Sequence, residues 1–134
     1  PKKIFMGEKD FQQLFLVKNF IEKKYKTKII KCKTIRDKNK LALSSRNLLL
    51  HKNDLKIAGN ITKKFIIIKK NIKNHKNIKK FLLETKKNMQ NTYKIKIEYL
   101  ELRNKKSLVI SKKINESKLF VAYYLKGTRL IDNF

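Results

Sequence analysis

The 134-residue chain contains 41% hydrophobic residues and carries a formal net charge of +26, so it has enough apolar material for the core of one ordinary domain. One cysteine and two histidines exclude a disulfide framework and a zinc site made of Cys and His ligands. No stretch has the length and apolar character of a membrane span. A single cysteine is typical of a reducing compartment, and we expect a cytoplasmic protein.

The positive charge has two interpretations. A strong excess of basic residues is typical of proteins that bind nucleic acid, yet only four of the 36 basic residues are arginine. Arginine is the residue that dedicated phosphate and base readers favour, because its planar fork engages two acceptors at once. The abundant Lys, Asn and Ile are also the residues of A/T-rich codons. We therefore expect a solvated basic surface, with a Lys-rich nucleic-acid-binding module as the alternative.

The first predicted element is a buried strand at Ile4-Phe5-Met6, an apolar run of the kind found in α/β sheets. Gly7 follows and permits a turn with positive φ. Asp10 can begin a helix over residues 11–25. Four residues share the apolar face of that helix at three- and four-residue spacing: Leu14, Val17, Ile21 and Tyr25.

The turn before this helix is the first candidate site. Lys9 lies where free backbone N–H groups and the helix dipole already favour an anion, and a lysine there suits a phosphate. Gln12 and Gln13 fall in the first helical turn, where an amide can bond to a hydroxyl or a carboxylate of a small substrate. In the alternative interpretation, Glu8 and Asp10 only complement the dipole and Lys9 is solvated.

A β-prone run at residues 28–33 follows, in which Cys32 is expected to be buried, and residues 36–40 form a polar loop. After the short apolar step 41–43, the cluster Ser44-Ser45-Arg46-Asn47 presents two hydroxyls, a guanidinium and an amide in succession. Such a cluster can wrap phosphate oxygens, with arginine neutralising the charge that develops on a leaving pyrophosphate. The alternative is a serine helix cap beside a surface arginine.

From Leu48 onward the pattern changes to helical periodicity and then to strands. Helices are predicted at 54–69 and 75–90, and the first of them has an apolar stripe formed by Ala58, Ile61, Phe65 and Ile68. Strands are predicted at 93–102, 108–110, 118–125 and 128–131, the last after a turn at Gly127. Helices followed by neighbouring strands predict a small α+β domain with an antiparallel sheet. Both histidines, His51 and His75, lie among Lys and Asn residues and are expected on the surface.

Three blocks of the sequence resemble the signature blocks of the pantoate-beta-alanine ligase (pantothenate synthetase) family, in the family's order and near its spacing. They are Gly7-Glu8-Lys9-Asp10-Phe11-Gln12-Gln13, Leu41-Ala42-Leu43-Ser44-Ser45-Arg46-Asn47 and Gly127-Thr128-Arg129-Leu130-Ile131-Asp132-Asn133. The resemblance spans the whole chain but only the second part of a family protein. It implies the end of a Rossmann-like α/β nucleotidyltransferase domain at 1–47, followed by an α+β lid domain at 48–134.

The resemblance also implies a reaction. ATP activates pantoate as pantoyl adenylate, and the amine of beta-alanine then displaces AMP, a step of coenzyme A biosynthesis. Lys9 and the Ser44-Ser45-Arg46 loop, which is similar to the KMSKS loop of class I aminoacyl-tRNA synthetases, would hold the ATP phosphates and act in catalysis. Gln13 would bond to pantoate. The remaining implied ATP contacts are Gly7, Asp10, Ile35 and Leu43.

The chain departs from the family pattern in ways that matter. It contains no HxGH motif, so we expect it to need the other half of the nucleotide-binding domain to make the adenylate. It begins with Pro1, which suggests an excised segment. Lys40 stands where the family usually has Gly, so the loop's turn is expected to differ, because a left-handed conformation is costly for lysine.

The implied partners are pantoate, beta-alanine and ATP, with Mg²⁺ carried on the phosphates, no protein-held metal and no membrane. A homodimer is implied for the full-length protein. A third hypothesis is that the chain is a separately expressed lid and half-site with only a structural role in assembly.

Overall fold

The computed structural model describes residues 1–134, and the chain forms two compact units, Pro1–Ile35 and Arg36–Phe134. We call these the first and the second unit. The predicted domain boundary between Asn47 and Leu48 lies inside the second unit, so the assignment of residues 48–134 as a lid domain stays a prediction. None of the helices combines the length and the apolar character that crossing a bilayer requires.

The first unit is a single β-α-β motif. Strand β1 (Lys3–Gly7) leads through a short 3-10 turn into helix α1 (Phe11–Lys24), and strand β2 (Lys28–Cys32) returns parallel to β1. Parallel strands need a crossover connection, and here the helix provides it. The α/β architecture predicted for the start of the chain is confirmed.

Few side chains form the interior of the first unit. Leu14 on α1 and Ile29 on β2 are buried, and so is Phe11, which the predicted apolar face did not include. The Glu22 carboxylate accepts a hydrogen bond of 2.9 Å from the backbone N–H of Ile29, which ties the helix to the start of β2. The predicted face ends early, because Tyr25 lies beyond the helix and is half exposed.

The prediction that Cys32 is buried is wrong, since its side chain is exposed. Successive side chains of a strand point to opposite faces of a sheet. Cys32 therefore lies on the same face as Ile30, opposite the face on which Ile29 is buried. An apolar run alone could not show which of its faces is covered.

The second unit contains helices α2 (Lys52–Asn71) and α3 (Ile78–Tyr93), followed by strands β3 (Lys96–Asn104), β4 (Ser117–Leu125) and β5 (Thr128–Asn133). The sheet is antiparallel in the order β3-β4-β5. The predicted α+β class with an antiparallel sheet is confirmed.

The core of the second unit lies where the helices meet the sheet. The stripe predicted on α2 is buried at Ala58, Ile61 and Phe65. The Phe65 ring lies 6.1 Å from the ring centroids of both Tyr123 and Phe134. Aromatic pairs at this separation contribute about 0.5–1.5 kcal/mol beyond the burial of their area.

Element boundaries account for most of the differences from prediction. Residue 93 ends α3 and does not begin a strand, because Lys94 adopts a left-handed conformation with φ of 53°. Helix α3 starts three residues later than predicted, where the Asn77 side chain accepts a hydrogen bond from the Lys80 N–H at 3.0 Å. His51 and His75 are exposed, as predicted.

The strand predicted at residues 108–110 is wrong. Leu108 has a positive φ of 60°, which ends any extended run, and Ile110 forms only an isolated bridge with Arg103. The Leu108 N–H instead donates to the Asn104 carbonyl at 2.8 Å. The segment after β3 is therefore a turn.

Gly59, on α2, allows the loop that starts at Arg36 to approach the helix. A Cβ at position 59 would lie 2.6 Å from the Cβ of Asn39 and 3.2 Å from its carbonyl oxygen. Helix propensity alone predicts that Gly59→Ala stabilises the protein by about 1 kcal/mol. We expect the opposite sign, because overpacking costs about 1–3 kcal/mol.

Chemical denaturation of the Gly59→Ala variant measures this net loss of unfolding free energy. Asn60→Ala is the matched control, since Asn60 is the next residue on α2 and is exposed. The higher helix propensity of alanine should raise the free energy of unfolding of Asn60→Ala by a few tenths of a kcal/mol. A Gly59→Ala variant that gains as much as Asn60→Ala would show that the loop moves away without cost.

Candidate active site

In the first unit, the candidate residues surround the junction between β1 and α1. Strand β1 ends at Gly7, residues Glu8–Asp10 form one 3-10 turn, and α1 begins at Phe11. Lys9 is half-buried in this turn, and Gln13 is exposed in the first turn of α1. The predicted order of strand, turn and helix is therefore observed.

Gly7 differs from the expected conformation at this junction, whereas Asp10 begins the helix as predicted but without a capping bond. Gly7 has φ of −71° and ψ of 136°, so it is an extended residue and the turn does not use positive φ. Asp10 precedes the helix, but its side chain makes no capping hydrogen bond. The first-turn amides of α1 are thus not satisfied by the Asp10 carboxylate, which keeps this helix start suited to an external anion.

In the second unit, the candidate residues form the start of a five-residue 3-10 helix, Ser45–Leu49. The Ser44 hydroxyl accepts a hydrogen bond from the Arg46 N–H at 3.2 Å, and the Ser44 carbonyl accepts from the Asn47 N–H at 3.1 Å. Ser44 is therefore the cap of this turn, which is the structural role considered for it from sequence.

The loop rests on buried residues just before the cap. Leu41 and Ala42 are 4% and 2% exposed, and the Asn47 side-chain amide donates to the Ala42 carbonyl at 3.0 Å. The Asn47 amide oxygen is buried with no hydrogen-bond partner. The ends of the loop are thus fixed while its tip is open.

The tip presents its polar groups outward. Ser45 and Arg46 are exposed, and so is Leu43 at 53%. One guanidinium nitrogen of Arg46 donates to the Arg129 carbonyl at 3.1 Å. A guanidinium has five N–H donors, so the other donors of Arg46 remain available to an anion. Ile35, the last residue of the first unit, is 71% exposed.

The turn before this loop keeps a left-handed residue despite the lysine. Lys40 has φ of 71°. The Asp37 carboxylate accepts hydrogen bonds from the N–H groups of Asn39 at 2.8 Å and Leu41 at 3.0 Å. The Asp37 N–H also donates to the Leu41 carbonyl at 2.9 Å. These bonds hold the turn in which Lys40 is left-handed, and the expectation that Lys40 makes it differ from the family's turn stays a prediction.

The left-handed conformation of Lys40 predicts a stabilising substitution. A non-glycine residue there costs about 1–2 kcal/mol, whereas glycine adopts it freely at some cost in chain entropy. We expect Lys40→Gly to raise the free energy of unfolding by about 0.5–1 kcal/mol, measured by urea denaturation. Lys38→Gly, in the same loop but without a positive φ, should be destabilising instead.

Arg36 connects this turn to the last strand. Its guanidinium donates to both carboxylate oxygens of Asp132 on β5, at 2.7 and 2.9 Å, and to the carbonyl of Lys40 at 3.0 Å. The side chain of Asp132 is 6% exposed and that of Arg36 22%. The guanidinium also lies 5.1 Å from the ring centroid of Phe134. Bidentate pairs of this kind are among the strongest hydrogen-bonded contacts.

A second arginine, Arg129 on β5, is held by a carboxylate of β3. Arg129 donates to the two carboxylate oxygens of Glu98 on β3 at 2.8 and 3.2 Å. These bonds hold the pKa of Glu98 below its usual range and raise the pKa of Arg129. Both groups are therefore charged near neutral pH, and the guanidinium of Arg129 is occupied.

The family of the chain is shown by a match that covers all of its residues. The family model described as pantoate-beta-alanine ligase matches residues 1–134. The chain belongs to the pantoate-beta-alanine ligase family. These matches give no support to the nucleic-acid-binding alternative, and the basic surface is carried by a ligase-family fold.

Named relatives agree with this assignment. Pantothenate synthetase of Chelativorans sp. (strain BNC1) is 34% identical over 131 residues, which cover 96% of this chain and 46% of that protein. Pantothenate synthetase of Flavobacterium psychrophilum is 34% identical over 137 residues, covering 99% of this chain and 48% of that protein. The chain spans about half the length of the curated relatives it matches.

Solved structures of the pantoate-beta-alanine ligase family share the fold. Pantothenate synthetase from Thermus thermophilus superposes with a TM-score of 0.84 at 23% identity, covering all of this chain and 49% of that one. The ligase from Francisella tularensis, described as complexed with beta-gamma ATP and beta-alanine, gives a TM-score of 0.73 at 32% identity and covers 43% of that chain.

Sequence reasoning missed the residues that hold the ligase-family loop in place. Arg36 was interpreted only as part of a polar loop, and Asp132 and Arg129 only as letters of the third signature block. The available signal was the resemblance of that block to the family, together with the other two blocks. The pairing of Asp132 with Arg36, which lies 96 residues away in the sequence, could not be found without the fold.

Proposed function

We propose that this chain supplies part of the active site of an ATP-dependent ligase that joins pantoate to beta-alanine. The observation that carries the proposal is the family match over all of residues 1–134. The Francisella ligase described as complexed with beta-gamma ATP and beta-alanine supports the choice of substrates. Because the chain spans about half of its relatives, the complete activity belongs to a larger assembly.

The proposed reaction has two steps. A carboxylate oxygen of pantoate attacks the α-phosphorus of ATP, the bond from that phosphorus to the bridging oxygen breaks, and pyrophosphate leaves. The amine of beta-alanine then attacks the acyl carbon of pantoyl adenylate, the bond from that carbon to the adenylate oxygen breaks, and the amide forms with release of AMP and a proton. Negative charge moves toward the leaving groups in each step, so positioned cations and N–H donors accelerate both.

Lys9, Ser44, Ser45 and Arg46 are the proposed phosphate-binding and catalytic residues. Arg46 fits this role because its guanidinium is exposed and makes only one hydrogen bond within the protein. Ser45 is exposed as well, whereas the Ser44 hydroxyl caps its own turn. Because a hydroxyl that accepts one hydrogen bond can still donate its own O–H, we assign Ser44 to shaping the loop and, together with Ser45 and Arg46, to contact with phosphate oxygens.

The remaining assignments follow the same family pattern. Gln13 is exposed at the first turn of α1, where its amide is accessible to pantoate. Gly7 and Asp10 flank Lys9, and Leu43 precedes the serines. The backbone near Ile35 is proposed to meet adenine.

Other parts of the assembly stay predictions. No three His, Cys, Asp or Glu side chains are grouped as a metal site, and we propose that Mg²⁺ arrives bound to the ATP phosphates. The 134 residues contain no HxGH, so we propose that a further segment of the ligase supplies it. Homodimerisation, closure of a lid and a cytoplasmic location are likewise predictions.

Pantoate-dependent exchange of labelled pyrophosphate into ATP tests the proposal. The chain is fused to the HxGH-bearing amino-terminal part of a family ligase, and we call this fusion the reconstituted ligase. We expect exchange that requires pantoate, the fused part and this chain together. A reconstituted ligase that folds but exchanges no more than its amino-terminal part alone would instead support a purely structural role.

A further inference from the structure

The loop that carries Ser44 to Arg46 is attached to strand β5 at two places. Arg36, before the loop, pairs with Asp132, and Arg46, within it, donates to the carbonyl of Arg129. We infer that Arg36 and Asp132 are positioning residues, which hold this loop in the conformation that receives the ATP phosphates. The inference rests on the proposed function of the loop.

The geometry of Arg36 is that of a bridge between strand and loop. Its two terminal nitrogens bond to the two carboxylate oxygens of Asp132, and the same nitrogen that meets one of them also donates to the Lys40 carbonyl. A planar fork with two parallel bonds fixes orientation as well as distance. The carboxylate is fixed in turn, since one of its oxygens accepts from the Asn133 N–H at 2.8 Å.

The bridge is close enough to the loop to control it. Arg36 forms an isolated antiparallel bridge with Ala42, and Ala42 is two residues from the Ser44 cap. The Ala42 carbonyl then accepts from the side chain of Asn47 at the other end of the cluster. A displacement of Arg36 is therefore transmitted to both ends of the Ser44–Asn47 turn.

The same pair is not needed to build the sheet. Strand β5 is already paired with β4 along its length, from Thr128 to Asn133. The side chains of Arg36 and Asp132 therefore add a link between this sheet and the loop, and loss of the link should release the loop first. This separates a positioning role from a general role in folding.

Hydrogen–deuterium exchange of the 134-residue chain tests the release. In Asp132→Asn, we expect the amides of Leu41 and Asn47, which are hydrogen-bonded at 3.0 and 3.1 Å, to exchange about tenfold faster than in the unsubstituted chain. Amides of the central strand β4 should exchange faster only by the factor that the loss of unfolding free energy in Asp132→Asn accounts for. Arg36→Lys, which keeps the charge but not the fork, should show a smaller increase.

Titration with ATP and Mg²⁺ tests the consequence for binding. We expect Asp132→Asn to weaken ATP binding by about 10- to 100-fold, since small misplacements of binding groups have effects of this size. Ile61→Val or Ile61→Ala, chosen to match the melting temperature of Asp132→Asn, is the control. Ile61 is fully buried on α2, and this control should bind ATP as the unsubstituted chain does.

The outcomes separate the inference from the function on which it rests. Loop amides that exchange no faster in Asp132→Asn would overturn the inference, and so would faster exchange with unchanged ATP binding. Equal weakening of ATP binding in the Ile61 control would also overturn it, because stability alone would then explain the effect. If the unsubstituted chain and the reconstituted ligase bind no ATP, the proposed function fails, and the positioning of ATP fails with it.

Discussion

Replacing Arg36 by methionine is expected to lower the free energy of unfolding of the second unit by about 3–5 kcal/mol, the usual effect of leaving one partner of a buried ion pair alone. Asp132 is 7% exposed and would lose two hydrogen bonds at once. Its carboxylate also lies near the buried phenol of Tyr123, and burial together with this negative charge raises the pKa of that phenol. The Tyr123 phenol therefore stays neutral and supplies no positive charge in place of the Arg36 guanidinium.

Urea denaturation followed by circular dichroism measures the effect of Arg36→Met. The double variant Arg36→Met/Asp132→Asn should recover part of the loss, because it removes the unpaired charge. Arg103→Met is the matched control, since the Arg103–Glu101 pair is 29% and 31% exposed and should contribute less than about 1 kcal/mol. Similar losses in Arg36→Met and Arg103→Met would contradict the special role of the buried pair.

Replacing Arg46 by alanine is expected to reduce pyrophosphate exchange by the reconstituted ligase about 10²- to 10³-fold, the range measured when one group that stabilises transition-state charge is removed. Stability should change little, because the side chain is exposed and makes one hydrogen bond, to the Arg129 carbonyl. Exchange by Arg46→Lys should lie between that of the unsubstituted ligase and that of Arg46→Ala, since lysine retains the charge but not the planar fork.

Lys63→Ala provides the control for loss of one positive charge. Lys63 is exposed on α2 and is not one of the proposed site residues, and in a chain of net charge +26 the loss of one exposed charge is screened by salt. Exchange by Lys63→Ala should stay within about twofold of the unsubstituted ligase. If Arg46→Ala behaved in the same way, Arg46 would be a surface residue and not a phosphate ligand.

The net charge illustrates how composition can mislead. A basic excess of this size points to nucleic acid on general grounds, yet the family match covers every residue of the chain. The scarcity of arginine was the better guide. The arginines that do occur are used in specific contacts: Arg36 with Asp132, Arg46 with the Arg129 carbonyl, Arg103 with Glu101 and Arg129 with Glu98.

The sequence by itself determined the fold class, the three helices and most of the strands. Local periodicity and turn residues are short-range properties, so the α2 stripe at Ala58, Ile61 and Phe65 could be read directly and is buried. The family could also be recognised from three short blocks. Boundaries that depend on a single backbone conformation, as at Lys94 and Leu108, were missed because many residue types adopt positive φ when their surroundings impose it.

Only the tertiary structure decided which charged side chains meet. Arg36 and Asp132 are 96 residues apart, and neither residue differs in local sequence from a solvated surface charge. Their pairing, the burial of Asp132, the close approach of Asn39 to Gly59 and the exposure of Cys32 are all results of packing. The physical reason is that long-range contacts depend on which faces of the elements become covered, and one local pattern is compatible with either face.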